Sequence, residues 1–198
     1  MSRARPRRRS VVRRRAAGLA IVVALVVVAA VEIVPLVNRV VREFTYPLRY
    51  TAIIRQEARA EHLDPALVAA VIDAETKFDA RTSSAGALGL MQILPSTASY
   101  LARLSGGTAF KVADLAQPQV NIAYGCYYLR YLLNLYAGNE TLALAAYNAG
   151  ATNVDRWVAE DRASGRQLNI ASIPFPETRA YVEKVEAAAI VYRKDYGL

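Results

Sequence analysis

The sequence predicts an all-α domain, with at most a scrap of sheet, preceded by one N-terminal transmembrane helix. Three observations carry that expectation. From Arg49 onward apolar residues recur at helical spacing almost without a break. The breaks that do occur hold Pro, Gly, Asn or Asp, the residues that start and stop helices. Before Arg49 stands an uncharged apolar run, AAGLAIVVALVVVAAV at Ala16–Val31.

Charge agrees with this division. The 198 residues carry 25 Lys and Arg against 17 Asp and Glu, but eight of the Arg, from Arg3 to Arg15, precede the first acid, Glu32. Without that tail, bases and acids balance. The basic character is therefore a tail and not a face that grips phosphate backbones, so nucleic acid is not an expected partner. A single Cys excludes an internal disulfide and a Cys-based zinc cluster. A single His leaves any Ser-His-Asp triad hanging on His62.

Residues 1–15 form the Arg-rich tail. Ala16–Val37 supplies the ~20 residues that a helix needs to cross a ~30 Å hydrocarbon core, with Glu32 near one end. The flanking Arg put the N-terminus in the cytoplasm and everything after Asn38 outside. A cleaved signal peptide, cut near Ala29 and Ala30, is a rival reading that exports the same domain. A buried core helix is the bland alternative. Residues 38–47 read as a linker and residues 48–198 as the exported domain.

In that domain Tyr50, Ile53, Ile54, Ala58 and Leu63 recur at helical spacing. Asp64 is an N-cap and Pro65 the first position of a helix that runs to about Thr76. Ala80–Leu94 has no steady period and reads as a loop with a possible short hairpin. Pro95 opens a helix to about Leu104, ended by Gly106-Gly107. Asp114–Pro118 is a turn. Pro118 opens a long helix to about Ala137, stopped by Gly138-Asn139. Glu140–Ala149 is a helix with Gly150 at its C′ position. Thr152–Ala163 is another, and Pro174-Phe175-Pro176 leads into a last one to about Lys194. In the long helix Tyr124, Tyr127, Tyr128, Tyr131 and Tyr136 read mainly as core with some groove lining, and Cys126 as a buried thiol. Trp157 reads as core and His62 as exposed.

The chemistry concentrates on Glu75. It follows Ile72 and Val71 by three and four positions and shares their apolar face. Asp73, about 200° round the helix, cannot pair with it. A Glu on an apolar face loses hydration, which raises its pKa and keeps it protonated near neutrality. That is what a general acid at a glycosidic oxygen requires. The bland alternative is a helix-end Glu that turns to solvent.

The surrounding text decides between them. AETKFDARTSSAGALGLMQILPSTA, then AAYNAG at Ala145–Gly150, then IPFPETRAYV at Ile173–Val182 resembles the catalytic domain of the soluble lytic transglycosylase family, itself similar to goose-type lysozyme. The resemblance covers about residues 48–196 and implies a lysozyme-like fold. It places Glu75 on the family's catalytic acid and Ser83 near its active-site Ser. Gln92 of GLMQ falls on a residue lining the sugar groove. Tyr147 and Asn148 match a Tyr-Asn pair whose Tyr orients the Glu, and Glu177 matches an acidic residue that contacts substrate. Thr76 stands where Ser is usual, Leu94 where Met is frequent, and Ala151-Thr152 where Pro often follows. The Glu-to-Gly86 spacing is one shorter than in some members, so Ser83 and Ser84 both fit the serine.

Read from their chemistry alone, these residues have second readings. Gly86 and Gly89 suit a loop pressed against a sugar or a plain tight turn. Gln92 offers both a donor and an acceptor to hydroxyl and acetamido groups, or is a solvated loop residue. Tyr147 could be core. Glu177 could be a first-turn acid that complements a helix dipole.

By resemblance, the substrate is the peptidoglycan glycan strand and no metal or organic cofactor is needed. Glu75 protonates the oxygen between N-acetylmuramic acid and N-acetylglucosamine. The 2-acetamido group stabilises the cation, and Glu75 then takes the proton of the muramic 6-hydroxyl as that oxygen closes onto C1. The product is a 1,6-anhydro sugar. A hydrolytic muramidase on the same scaffold would need a second carboxylate, for which Asp79 and Glu177 are the candidates. A non-catalytic wall-binding or scaffold protein is the remaining alternative.

Overall fold

The structure, a computed structural model, describes residues 27–106 and 109–198. The chain divides into two units, Met1–Thr45 and Tyr46–Leu198. In the first, residues 27–45 form helix α1. The sequence reading puts a linker from residue 38, but the helix runs on to residue 45. Nothing there breaks it: Arg39 and Glu43 pair one turn apart at 2.8 Å, and the Thr45 hydroxyl donates back to the Val41 carbonyl at 2.7 Å. Among the described residues no helix is long and apolar enough to cross a membrane. Residues 1–15 and 16–26, the expected tail and the first half of the expected span, lie outside them.

The second unit is mostly helical, as expected. It comprises α2 (Thr51–Ala60), α3 (Pro65–Thr76), β1 (Arg81–Thr82), β2 (Leu88–Gly89), α4 (Pro95–Leu104), α5 (Pro118–Leu135), α6 (Glu140–Ala149), α7 (Ala151–Ala163) and α8 (Pro176–Tyr196). Short 3₁₀ turns at Val112–Ala116 and Ile170–Ser172 complete it; the first replaces the simple turn expected around Asp114. Pro65, Pro95, Pro118 and Pro176 each open a helix, where a missing N–H costs nothing. Asp64 accepts from the Ala66 amide and Asn139 from the Leu142 amide, so both predicted stops and starts have their caps.

Helix α3 is the centre of the core. Ala66 to Asp73 are all buried, and α8 packs along α3 more extensively than any other pair of elements. The alanines at 66, 69 and 70 let neighbouring backbones come close. After Thr76 the chain reverses through Lys77 and Phe78, both left-handed at φ 55° and 61°.

The predicted hairpin forms. Arg81 faces Gly89 and Thr82 faces Leu88 in an antiparallel pair. Leu88 also pairs with Ile93 through two 3.0 Å bonds, which closes Gly89–Gln92 into a four-residue loop. That loop sits on α5. Asn121, 0 % exposed, accepts from the Met91 amide at 2.8 Å and donates to the carbonyls of Leu88 (2.9 Å) and Leu115 (3.1 Å). Gly89 has φ 76°, and a Cβ there would run into the Asn121 amide and the Leu115 carbonyl. Met91 covers Gly125, where a Cβ would collide with the thioether. The glycine of the loop thus answers to packing against protein.

Asn121→Ala removes the side-chain partner of the buried Met91 amide and Leu115 carbonyl, while the Leu88 carbonyl keeps the Ile93 amide. Unfolding melts should show a loss of about 2–4 kcal/mol; a loss below about 0.5 kcal/mol would mean that the loop does not depend on this side chain.

Candidate active site

Glu75 lies in the last turn of α3, and neighbours from three directions hold that turn. The Arg81 guanidinium, from β1, donates to the Glu75 carbonyl at 2.8 Å. The Lys184 ammonium, from α8, donates to the Ala74 carbonyl at 2.9 Å. The Thr76 hydroxyl donates to the Leu90 carbonyl at 2.8 Å, which fixes the helix end to the Gly89–Gln92 loop. Thr76 therefore uses the hydroxyl that the sequence retains there.

The carboxyl itself is largely withdrawn from water. Burial pushes its pKa up to about 7, against the opposing effects of Tyr181, Lys184 and Arg81. Tyr181 is buried in α8, its hydroxyl beside the carboxyl without a hydrogen bond of ordinary geometry to any group. No carboxylate is among the groups that act on Glu75. Asp73 is 1 % exposed and pairs with Lys77 at 3.0 Å, so it is occupied elsewhere, as its helical angle implies. Asp79 and Glu177 are both exposed.

Two cavities flank the hairpin. One, of about 230 Å³, lies between Gln92–Thr97 and Asn148–Gly150 and is floored by Tyr128 and Tyr147. The other, of about 370 Å³, is lined by Arg81, Thr82, Gly89 and the Val112–Ala116 turn. Glu75 is not among the residues that line either cavity. Arg81, in the wall of the larger, donates to its carbonyl, and the Tyr147 pKa is held far above the ordinary phenol value by burial first and then by the charge of Glu75.

The structure brings Gln92, Tyr147 and Asn148 to one cavity. Gln92 adopts φ 48°, and its side-chain nitrogen donates to the carbonyls of Arg81 and Gly89, both at 2.8 Å. It thereby locks the loop to the hairpin. Tyr147 and Tyr181 both feel the charge of Glu75, and the two hydroxyls differ in what they touch. The Tyr147 hydroxyl donates to the Met91 carbonyl at 2.8 Å, and the phenol whose hydroxyl lies beside Glu75 is Tyr181. Asn148 accepts from the Thr178 hydroxyl at 2.7 Å, which ties the end of α6 to the start of α8. Ser83 closes the hairpin turn: its hydroxyl accepts from the Ala87 amide at 3.0 Å. Glu177 is exposed in the first turn of α8 and lines neither cavity.

Sequence reasoning missed Tyr181, Arg81, Lys184 and Asn121. Tyr181 stands inside the IPFPETRAYV motif, four positions after Glu177, and that helical spacing from the residue the resemblance assigns to substrate was the available signal. Trp157 and Cys126 are buried and His62 exposed, as expected. Among the described residues no group of His, Cys, Asp and Glu is placed to hold a metal ion.

The raised pKa sets a pH signature. The native carboxyl titrates near 7 and the unfolded one in the ordinary Glu range, so the folded chain binds an extra proton between them. Its contribution to stability is full below the unfolded value and is lost as pH rises through about 7. Glu75→Gln should escape that loss. Relative to wild type it should gain on the order of 3 kcal/mol between acid and alkaline melts; parallel curves would contradict the burial described here.

Residues 52–170 match the model of the transglycosylase SLT domain family. The soluble lytic murein transglycosylase of Salmonella typhimurium is 33 % identical over 160 residues, which cover 78 % of this chain and 24 % of that protein. A putative soluble lytic murein transglycosylase of Haemophilus influenzae is 45 % identical over 114 residues, covering 56 % of this chain and 19 % of the other. This chain thus spans about a quarter or less of these relatives' length. Among solved structures, the lytic transglycosylase Slt of Pseudomonas aeruginosa, an inactive Glu-to-Gln mutant, superposes with a TM-score of 0.71 at 31 % identity, over 79 % of this chain and 26 % of that one. The 70 kDa soluble lytic transglycosylase of Escherichia coli gives 0.70 at 30 % identity, over 78 % and 26 %. With the family model matching more than half of its length, the chain belongs to the transglycosylase SLT domain family.

Proposed function

We infer that this protein is a lytic transglycosylase that cleaves the β-1,4 bond between N-acetylmuramic acid and N-acetylglucosamine in peptidoglycan, with Glu75 as its single acid and base. The observation that carries the reading is a buried carboxyl, titrating at about 7, on which no other carboxylate acts. Such a group can hold a proton and also give it up at neutral pH, and the reaction asks for both. Glu75 first donates to the bridging oxygen as the C1–oxygen bond breaks. The departing sugar keeps that proton. The ionised Glu75 then accepts the proton of the muramic 6-hydroxyl while its oxygen bonds to C1. Protons balance, and no water is consumed.

Ring closure competes with water on favourable terms. A well-oriented internal group reaches an effective concentration of ~10⁵–10⁸ M, far above that of water. The roles of the neighbours follow from their contacts. Gln92 and Asn148 line the cavity that would hold the sugar, and Tyr147 fixes the loop that carries Gln92. Tyr181 acts as a positioning residue, by steadying the ionised form of Glu75. Ser83 supports the hairpin, and Glu177 is left as an exposed contact for a strand longer than the cavity.

We further propose that Ala16–Val37 anchors the domain outside the cytoplasmic membrane. Support comes from the uncharged run and the Arg tail, and from 31 % identity to a protein named membrane-bound lytic murein transglycosylase C in Cronobacter sakazakii. Tethering would raise the local concentration of the enzyme at wall close to the membrane.

Digestion of purified peptidoglycan tests the function. Mass analysis should find glycan ends lighter by one water than reducing ends, and Glu75→Gln should give none while still folding. Ordinary reducing ends would point to hydrolysis. Tyr181→Phe removes a group that lowers the Glu75 pKa. The alkaline limb of its pH–rate profile should therefore move to higher pH, with kcat reduced by roughly tenfold or more; an unmoved limb would assign Tyr181 to packing alone.

A further inference from the structure

Helix α3 ends on two left-handed residues, Lys77 and Phe78, and neither is glycine. L-residues keep such a conformation only where their surroundings hold them. Phe78 is held by Tyr192, ring against ring at 6.2 Å and 61° between planes. Lys77 is held by Asp73, at 3.0 Å, and by the Tyr46 ring, which the ammonium overlies at 5.7 Å from the centroid. Tyr46 in turn meets Tyr192 edge to face, at 6.1 Å and 88°. The contacts close a circuit: Tyr46 to Lys77, Lys77 to its neighbour Phe78, Phe78 to Tyr192, and Tyr192 back to Tyr46. The backbone that carries Tyr46 is fixed at the same place. The Tyr196 hydroxyl donates to the Tyr46 carbonyl at 2.7 Å, and the Tyr192 hydroxyl to the Pro47 carbonyl at 2.8 Å. Tyr46 is the first residue of the second unit and follows α1 directly in the chain.

We propose that Tyr46 is a positioning residue for Glu75, acting through the Lys77–Phe78 turn. The proposal rests on the glycan-cleaving reading above and adds to it a residue that lines neither cavity. Glu75 precedes the turn by two residues, and Arg81, which donates to its carbonyl, follows the turn by three. A turn that relaxes therefore moves Arg81 and the carboxyl-bearing residue apart. The groups that face the carboxyl come from several elements: Arg81 from β1, Lys184 and Tyr181 from α8, while Tyr147 of α6 feels its charge. On α3 and its end, Asp73 and Lys77 act on Lys184 in opposite senses. Of these groups Arg81 is the one that the turn itself carries back to Glu75, so its contribution is the one that Tyr46 controls. Packing alone does not account for the aromatic ring. Tyr46 is half-buried, and an apolar side chain of any kind would cover the same surface. A π face is needed to hold an ammonium in place.

Loss of the ring should weaken the Arg81 contact, which lowers the Glu75 pKa, so the carboxyl should keep its proton to higher pH. In the full-length protein, Tyr46→Ala should reduce kcat on soluble glycan strands by roughly three- to tenfold with KM nearly unchanged, and should move the alkaline limb of the pH–rate profile upward. Tyr46→Phe, which keeps the ring, should restore both. Tyr46→Leu keeps apolar bulk without the π face and should behave as Tyr46→Ala does, even where it melts like wild type. An NMR titration of the Glu75 carboxyl, its signal assigned by absence from Glu75→Gln protein, reads the same change without turnover. The midpoint should rise above about 7 in Tyr46→Ala and Tyr46→Leu. Variants that melt earlier but keep the wild-type limb and midpoint would overturn the proposal and leave Tyr46 as packing. So would a Tyr46→Phe protein that behaves as Tyr46→Ala does. If the wild-type protein cleaves nothing, the proposed activity fails, and the NMR midpoints still decide whether Tyr46 positions Glu75.

Discussion

The peptide groups of Gly89–Gln92 have neither a helix nor a full ladder to bond to, and burial removes them from water. Side chains must therefore satisfy them, since an unpaired buried amide or carbonyl costs about 1–3 kcal/mol. Thr76 takes the Leu90 carbonyl, Tyr147 the Met91 carbonyl, Gln92 the Gly89 carbonyl and Asn121 the Met91 amide. These residues come from α3, α6, the loop itself and α5. One local backbone requirement thus registers three helices against each other. Glu75 and Tyr147, far apart in sequence, end up in one site because both helices answer to the same four residues.

The protonation of Glu75 is a second consequence of placement. It sits at the C-terminal end of a buried helix, where both lost hydration and the negative end of the helix dipole disfavour a carboxylate. Left there, the group would stay protonated and could not serve as a base. Arg81 and Lys184 donate to the carbonyls of that same helix end and, with Tyr181, pull the pKa back to about 7. Exposed to water, the carboxyl would be ionised and could not serve as an acid. On the proposed mechanism, the working state lies between two environments, each of which alone would abolish half of the chemistry.

The boundaries of α3, α4, α5, α6 and α8 were legible because local chemistry sets them: Pro at the first position, Asp64 and Asn139 at the caps, and Gly150 beyond the end of α6. The helical run through residues 38–45 was not, because no residue there marks a start and the only cue against a linker was the Arg39–Glu43 spacing. The family motifs pointed to Gln92, Tyr147 and Asn148, which line one cavity. They did not reveal that the Tyr147 hydroxyl holds Met91 while Tyr181 lies beside the carboxyl. Which of two phenols reaches a group depends on the packing of α6 and α8, and no periodicity in either helix encodes the distance between them. Asn121 was illegible for the same reason: its partners lie 30 residues and more away for Met91 and Leu88. Gly89 carried two readings in the sequence, sugar approach or turn, and its left-handed φ of 76° together with its collision course with Asn121 requires glycine there for the turn itself.

One more choice makes the arrangement possible, and it is made in the backbone. Arg81 is six residues after Glu75, yet it returns to the Glu75 carbonyl. The chain can do this only by reversing at once, and it reverses through two successive left-handed residues, Lys77 and Phe78. For L-residues each such conformation costs about 1–2 kcal/mol. Glycine would remove the strain, but position 78 is 1 % exposed and its ring packs edge-on against Tyr192 at 6.2 Å. Burying a Phe contributes about 1.5–3 kcal/mol, which offsets the left-handed turn and anchors it to α8. The same helix supplies Tyr181 and Lys184. The turn that ends α3 therefore both returns Arg81 to the carboxyl-bearing residue and holds the helix that carries the other two groups acting on it.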